Sequence, residues 1–453
     1  MTQSNFGSPT QFEITEIKID NQDVAGLFFS ISIFENLYSP VITGNIILAD
    51  SDGAGFIEEQ RIEFIEPIEF SFKNANGDSL QFKGVLNGLR NEVVQNALKF
   101  YTIDFSSEAV RKNEQTFMTG AFKDSKPGDI VSKMAEKLGG NLEGSTTSGI
   151  PMNYISSRRR PVDVIRYVLT HGLSDKTEAS EQEGTKTEEA KGTTGFLFWE
   201  TLDGFKFDTI DNVAAGKVGT KHKDYNLQLV NNELGMEELM KTIIECNFKQ
   251  IGDFQTKLRS GAFSATNISF DMDSGEYKEY KYYNETNMTD KQKEMLKSDA
   301  VTRYFSKPIS NQKFMAPQQC TPAQANTGDQ SRKYLNQNAG RQNTFSDQSG
   351  EFTLYPQFDF RAGDPFECKV SKVKDEESEG GYDKKHSGRY IIQQVGHHFF
   401  NDGRAYTKIK TIRSTIQQDD SSSTKTVNET VTDFKRDLTR IRDAFRTINR
   451  VIS

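Results

Sequence analysis

Between Gln11 and Ser106 apolar and polar residues alternate almost without a break. "FEITEIKID", "LFFSISIFE", "VITGNIILAD", "IEFSFKNANGDSLQFKGVL" and "LKFYTIDF" all carry period two, the spacing that sends successive side chains to opposite faces of a strand. "NANGD" (Asn74 to Asp78) reads as a hairpin turn, since Asn-Gly accepts positive φ. Five or more strands so spaced predict a small antiparallel barrel or sandwich.

The period then changes. "SKPGDIVSKMAEKLGG" (Ser125 to Gly140) places Ile130, Val131, Met134 and Leu138 on one helical face between a Pro-Gly start and a Gly-Gly stop. "RPVDVIRYVLTHGL" predicts a second helix with Pro161 in its first turn. "GFLFWETLDGFKFDTI" reads as a hairpin turning at Asp203-Gly204. The loop 175–195 between them is polar, charged and aperiodic. "NELGMEELMKTIIE" predicts a helix, "GAFSATNISFDMDSGEYKEYKYY" strands, and "TDKQKEMLKSDAVTRYF" a helical piece in a Gln- and Asn-rich stretch; strands return at "GEFTLYPQFDF" and run to Thr415.

Those later strands repeat the earlier ones. "GVLNGLRNEVVQNALKFYTIDF" (Gly84 to Phe105) matches "RYIIQQVGHHFFNDGRAYTKIKT" (Arg389 to Thr411), with Val93-Val94 against Phe399-Phe400, Tyr101 against Tyr406 and one gap near the tip. "EPIEFSF" matches "DPFECKV" through Pro67 and Pro365, and "NIILADSDG" matches "NISFDMDSG". Three collinear matches indicate duplication. The fold class follows: mainly β with α+β insertions, in which two related antiparallel β-barrel domains flank a small α+β module, plus a C-terminal helix. The divisions are a first β-domain (1–108), the module (109–230), a second β-domain in two pieces (231–283 and 351–415), a polar insertion (284–350), a linker (416–430) and a terminal helix (431–453).

In that helix Val431, Phe434, Leu438, Ile441, Phe445, Ile448 and Ile452 keep alternating spacings of three and four, an a/d seam over three heptads. It either docks on its own body or associates with another copy or a partner's helical groove. Its long linker favours reach.

Composition narrows the function classes. A net charge of −8 argues against a general nucleic-acid binder, though not against an acidic wall past which DNA slides. No apolar run approaches the ~20 residues that span a bilayer, and the first thirty residues lack a signal pattern, so a soluble chain kept without Sec export is expected. Cys246, Cys320 and Cys368 are far apart and form no CxxC pair, so reduced thiols are expected.

Candidate chemistry is sparse. His397 and His398 are adjacent in a predicted strand and point to opposite faces, so they cannot share one metal. His171, His222 and His386 supply no HxxxH or HxH spacing with them. There is no GxSxG, P-loop or GxGxxG after a strand, and "ADSDG" and "DMDSGE" lack the register of a calcium loop. "RRRP" (Arg158 to Pro161) is the one basic cluster: a solvated helix start, or a contact for an acidic partner. No catalytic residue, cofactor site or metal site is assigned, and no enzyme activity is expected.

Two related β-domains separated by a "PGDIV"-type helical module, with a closing "GRY-I--V-H-F---YT" hairpin, resemble the central baseplate hub protein of contractile-tailed, T-even-like bacteriophages over roughly residues 10 to 415. More distantly they resemble the hub half of secretion-system spike proteins. The resemblance implies tail-tube-like β-domains and a homotrimer whose six domains mimic a six-fold ring. It implies a tail tube protein, a central spike protein and baseplate wedge proteins as partners, with DNA only as passing cargo and no membrane insertion. It implies a place in the virion tail baseplate, assembled in the host cytoplasm. A hub of a phage-derived secretion or bacteriocin particle, and a carbohydrate-active or cell-wall-binding β-domain protein, are the alternatives.

Overall fold

The computed structural model describes residues 7–51, 55–95, 98–143, 149–174, 194–227, 235–250, 255, 264–270, 277–283, 338, 340–342, 345, 348–370, 383 and 386–413. Residues 1–415 form one compact unit and 416–453 a second. The heptad seam from Val431 to Ile452 lies outside the described residues, as do the loop 175–193, the predicted helix in 289–305 and the "DMDSGE" turn.

The first β-domain contains β1 (Phe12–Ile19), β2 (Gln22–Asp23), β3 (Phe28–Asn36), β4 (Thr43–Asp50), β5 (Pro67–Asn74), β6 (Ser79–Gln95) and β7 (Leu98–Ser106). Each run of alternating residues became a strand, and β4 alternates in burial along its whole length. Neighbours run in the order β3-β4-β7-β6-β5-β1-β2. The Asn74–Asp78 turn forms as expected: Gly77 takes φ +88°, and Asn74 Oδ1 accepts the N–H groups of Asn76 and Asp78. Phe70, Phe72, Phe82 and Phe105 fill the interior, Phe70 and Phe82 stacking 5.0 Å apart.

The module contains β8 (Met118–Ser125), β9 (Met152–Arg159), β10 (Phe196–Thr201) and β11 (Gly204–Thr209), with helices over Pro127–Leu138 and Pro161–His171. Both helices carry proline in the first turn, where its missing N–H costs nothing. The first stops at Gly139, whose φ of +94° lets the Gly140 N–H reach back to Ala135. Thr201 pairs Gly204, so the β10–β11 turn is centred on Leu202-Asp203, one residue earlier than expected.

The second β-domain contains β12 (His222–Leu227), which falls in the span expected for the module, β13 (Ile243–Gln250), β16 (Gln348–Leu354), β17 (Pro365–Val370), β18 (Gly388–Phe400) and β19 (Ala405–Arg413), while β14 (Ser264–Phe270) and β15 (Tyr277–Tyr283) form a separate two-stranded sheet. β12 pairs β17 in parallel. Among the described residues, the helix expected over "NELGMEELMKTIIE" is helical at Met236–Met240 alone. Its "TIIE" end begins β13, where pairing with β16 overrides a weak helical pattern. The order β13-β16-β19-β18 continues directly into β3 of the first domain, so both β-domains lie in one thirteen-stranded sheet.

The duplication is visible in the register. In the first domain Val85 pairs Ser106 and Leu86 pairs Phe105; after a one-residue bulge Gly88 pairs Asp104 and Leu89 pairs Ile103. In the second Ile391 pairs Ile412 and Ile392 pairs Thr411; after a bulge at the same place Gln394 pairs Lys410 and Val395 pairs Ile409. Pro67 pairs Val85 as Pro365 pairs Ile391, and the N–H of Leu86 reaches the Glu66 carbonyl as that of Ile392 reaches Asp364, both at 2.9 Å. Beyond Ile103 a second bulge on β6, at Arg90, has no counterpart on β18: Asn91 pairs Thr102, the residue next to Ile103, whereas His397 pairs Thr407, two residues from Ile409. The tip also differs by one residue, as the sequence match requires: Val93 and Phe100 are paired seven residues apart, Phe399 and Ala405 six.

One match is corrected. Among the described residues β14 pairs only with β15, and it is not the copy of β4. β16 takes that position, with Gly350 opposite Thr411 as Gly44 is opposite Phe105. Both glycines are sterically required. A Cβ on Gly44 would overlap the Phe105 ring and the Ser32 carbonyl, and one on Gly350 would lie 2.7 Å from the Phe352 ring. Gly44→Ala is therefore expected to cost ~1–3 kcal/mol by overpacking, read as a lower urea midpoint. Gly120→Ala, whose Cβ would meet nothing within 4 Å, serves as the neutral control. Equal midpoints for the two variants would contradict the packing argument.

Candidate functional site

The chemistry-bearing residues that the fold gathers lie where the two β-domains meet. β18 is the strand that makes the junction. Its first part pairs β17 from Cys368↔Gly388 to Pro365↔Ile391, and after the bulge its second part pairs β3 from Gln394↔Asn36 to Phe400↔Ser30. His397 and His398 sit on that second part and point to opposite faces, as the period-two reading requires.

His397 is buried, with Nδ1 3.2 Å from Thr407 Oγ1 and its ring edge-on to Phe358. His398 holds Nδ1 2.9 Å from Ser32 Oγ and meets Phe34 edge-to-face. Burial pushes His397 down to about 3 and His398 down to about 4, so both rings are neutral at pH 7. Among the described residues no group of three His, Cys, Asp or Glu side chains is placed to hold a metal ion. The pair belongs to the inter-domain ladder, one ring serving the core and the other the contact with β3.

A buried and a half-buried carboxylate fasten the same region. Glu35, on β3, is fully buried; Oε1 accepts the Leu202 N–H and Oε2 the Ala362 N–H, each at 2.9 Å. One side chain thereby joins the first β-domain, the module's β10–β11 turn and the loop before β17. Arg361 Nε lies 4.0 Å from Glu35 and 3.0 Å from Asp203. Burial holds the Glu35 carboxyl up at about 7, against the pull of Arg361 and the two N–H groups. Glu200, on β10, uses Oε2 to accept the Ile42 N–H at 2.8 Å and the Ser107 hydroxyl at 2.5 Å; burial raises it to about 7 as well. Trp199 Nε1 donates to the Ala362 carbonyl at 2.8 Å. A third tie holds β12 to β17: His222 Nε2 lies 2.8 Å from Asp364 Oδ2, while Oδ1 accepts the Thr220 N–H. In each tie a side chain spans two or three segments, which suits fastening.

The sequence held a signal for Glu35. It follows Ile31 and Ile33 on the inward face of β3, where an acid is out of pattern. Glu200 carried no such signal, because nearly every residue of β10 is buried and periodicity disappears there. The basic cluster has partners: the guanidinium groups of Arg158 and Arg160 lie over the Phe117 ring, and Arg160 pairs Glu114 at 2.7 Å.

No protein-family model and no curated protein matches the chain. Solved structures do. A tail protein from Neisseria meningitidis MC58 is similar over 90% of this chain and 98% of its own, at 9% identity and a TM-score of 0.48. The 43 kDa tail protein of prophage MuSo2 from Shewanella oneidensis is similar over 90% and 100%, at 12% identity and a TM-score of 0.46. A component of the E. coli type VI secretion system, itself described as structurally similar to the T4 bacteriophage tail proteins gp27 and gp5, is similar over 89% and 76%, at 11% identity and a TM-score of 0.40. The structural neighbours are thus phage tail proteins and a secretion-system component, all at low sequence identity.

The carboxylates give the junction a pH dependence of known sign. A carboxyl held higher in the fold than in the unfolded chain stabilises most when protonated, and that contribution is lost as pH rises through the folded value. For Glu35 and Glu200 the loss falls between pH ~4.5 and ~7, at up to ~3 kcal/mol each. His397 and His398, held below their unfolded value, contribute with the opposite sign up to pH ~6.5, so the Glu200 part is read as a difference: relative to wild type, the melting temperature of Glu200→Gln, which keeps an acceptor for Ile42, is expected to rise between pH ~4.5 and ~7. Glu35→Ala leaves the Leu202 and Ala362 N–H groups without their acceptor and removes a charge near Arg361, which keeps Asp203, and is expected to cost ~2–4 kcal/mol. A pH profile of melting identical in wild type and Glu200→Gln would remove Glu200 from this account.

Proposed function

We propose that the chain is a structural hub of a contractile phage-tail baseplate: a homotrimer that joins the tail tube to the central spike and surrounds the path of the DNA. The observation that carries this reading is the register-matched duplication. Two β-domains with the same ladder, the same bulge and the same proline-led neighbour lie side by side in one sheet. A chain that presents one motif twice converts three copies into six similar domains, which is what an adaptor between a six-fold tube and a three-fold spike requires. The polar groups at the junction fit this role. Glu35, Glu200 and Asp364 are held by backbone N–H groups and neighbouring side chains that set domain position.

On this reading the protein is a virion tail component with no enzymatic role. The terminal helix then serves the spike, neighbouring hubs or wedge proteins, its seam being Val431, Phe434, Leu438, Ile441, Phe445, Ile448 and Ile452.

Light scattering of the purified chain is expected to give a trimer mass, and negative-stain images a ring of six lobes that binds purified tail tube and spike proteins. A stable monomer at micromolar concentration that captures neither would overturn the hub. Clear hydrolysis in a peptidoglycan zymogram would overturn the non-enzymatic assignment. Truncation after Gln417 is expected to weaken spike or neighbour binding by at least ~10-fold, about 1.4 kcal/mol. Unchanged binding would assign the helix to its own body.

A further inference from the structure

The basic cluster at 158–160 has no part in the hub reading. Arg158 and Arg159 end β9, and Arg160 precedes the helix over Pro161–His171. Arg160 pairs Glu114 at 2.7 Å. Arg158 and Arg159 are exposed, and neither pairs an acid among the described residues. Three guanidinium groups in succession thus meet a single carboxylate. Phe117, under the first and third of them, is itself 49% exposed.

The ladder explains how the cluster is presented. Met118 pairs Arg159 and Gly120 pairs Ser156, so two residues of β9, Ser157 and Arg158, stand opposite Thr119 alone on β8. At that bulge Arg158 takes φ +50°, in the left-handed region where a side chain is strained and glycine is at ease. A bulge re-aims a side chain. Here it sets the Arg158 guanidinium 5.2 Å from the centre of the Phe117 ring, with that of Arg160 at 5.8 Å. A cation over a ring that water also reaches contributes little. The contact therefore does not account for an arginine at a position that suits glycine, and strain of this kind marks a site with a task.

We propose that Phe117 and the arginines at 158–160 form a docking surface for an acidic segment of a partner polypeptide. The guanidinium groups take its carboxylates, and an apolar side chain of the segment rests against the Phe117 ring. Charge complementarity selects this occupant. A guanidinium presents a planar fork that fits a carboxylate, and the local excess is positive in a chain whose net charge is −8. A DNA duplex, with a charge every ~1.7 Å of its length, would run on over the acidic remainder, whereas a short segment meets the patch alone. The exposed ring also favours a polypeptide, because a phosphate backbone offers nothing apolar to cover it. The approach is open: β8 pairs only β9 among the described residues, and a Cβ on Gly120 would meet nothing within 4 Å. The surface needs only an acidic partner and does not rest on the hub reading.

Fluorescence anisotropy of the full chain tests this with a labelled glutamate peptide that carries one central leucine. Saturable binding is expected, weakening as salt is added. Arg158→Gly separates docking from folding, because it removes the strain together with the guanidinium. Its dissociation constant is expected to rise at least ~10-fold while the melting temperature holds or rises. Phe117→Ala is expected to weaken binding at least ~3-fold, and Arg159→Glu, which sets a like charge beside the site, at least ~10-fold, both at an unchanged melting temperature. An Arg158→Gly protein that melts lower and binds as before would make the arginine structural and overturn the proposal. Peptide binding that none of the three variants changes, or no binding at low salt, would overturn it as well. Tighter binding of a DNA duplex than of the peptide, lost in the same variants, would give the surface to nucleic acid instead.

Discussion

The structure depends on one strand serving two domains. β18 leaves β17 at Ile392, shifts register by a bulge, and runs on along β3. A straight strand could not do both, because its ladder with β17 would extend in place of the turn towards the first domain; the bulge supplies the bend. Past it, β18 delivers Phe399 into the other domain's interior, stacked 4.0 Å from Phe72 and edge-on to Phe12. Burying a phenylalanine contributes ~1.5–3 kcal/mol. That core is therefore incomplete without a residue from the far end of the chain, so the two β-domains fold as one body.

Hydrophobic contact alone does not choose the angle between domains, since apolar surfaces tolerate sliding. The polar ties remove that freedom. Glu35 accepts N–H groups from Leu202 and Ala362, which belong to different segments, and only one placement satisfies both. Burying such a carboxyl is costly, and the proton affinity of Glu35, raised to about 7, measures that cost. Trp199, Arg361 and Asp203 surround the same point. Geometry is thus held by directional bonds over a core that supplies the gross stability.

Much of this was legible in the sequence. Period two located the strands of the first domain, the Asn74–Asp78 turn formed as its residues dictate, and the hairpin match from Gly84 and Arg389 identified the strand pairs that share a register. What misled was similarity of letters without pairing. "NISF" resembles "NIIL" more than "SGEFTL" does, yet β16 is the copy of β4, because the required residue is the glycine facing a crowded neighbour strand. β8 and β9 went unnoticed because their pairing is bulged twice and their alternation is broken. Glu200 was invisible for a different reason. Its partners are a backbone N–H and a hydroxyl distant in sequence, and nothing at position 200 encodes Ile42 or Ser107.

The divergence of the two arms is itself informative. Where the β18 arm is covered by β3 it carries His398, Phe399 and Phe400; the corresponding positions on the open β6 arm are Glu92, Val93 and Val94, with Arg90 beside them. A contact made as the chain folds can use neutral rings and large apolar groups, because it never waits in water. An edge left open to water has no such cover, and charged residues on an open strand are the usual protection against indiscriminate pairing. The same ladder has been kept with two different side-chain chemistries, one suited to burial under a neighbouring strand and the other to an edge that no described strand covers. The extra bulge at Arg90 adds to the second, because it twists the open arm away from the flat geometry that promotes aggregation.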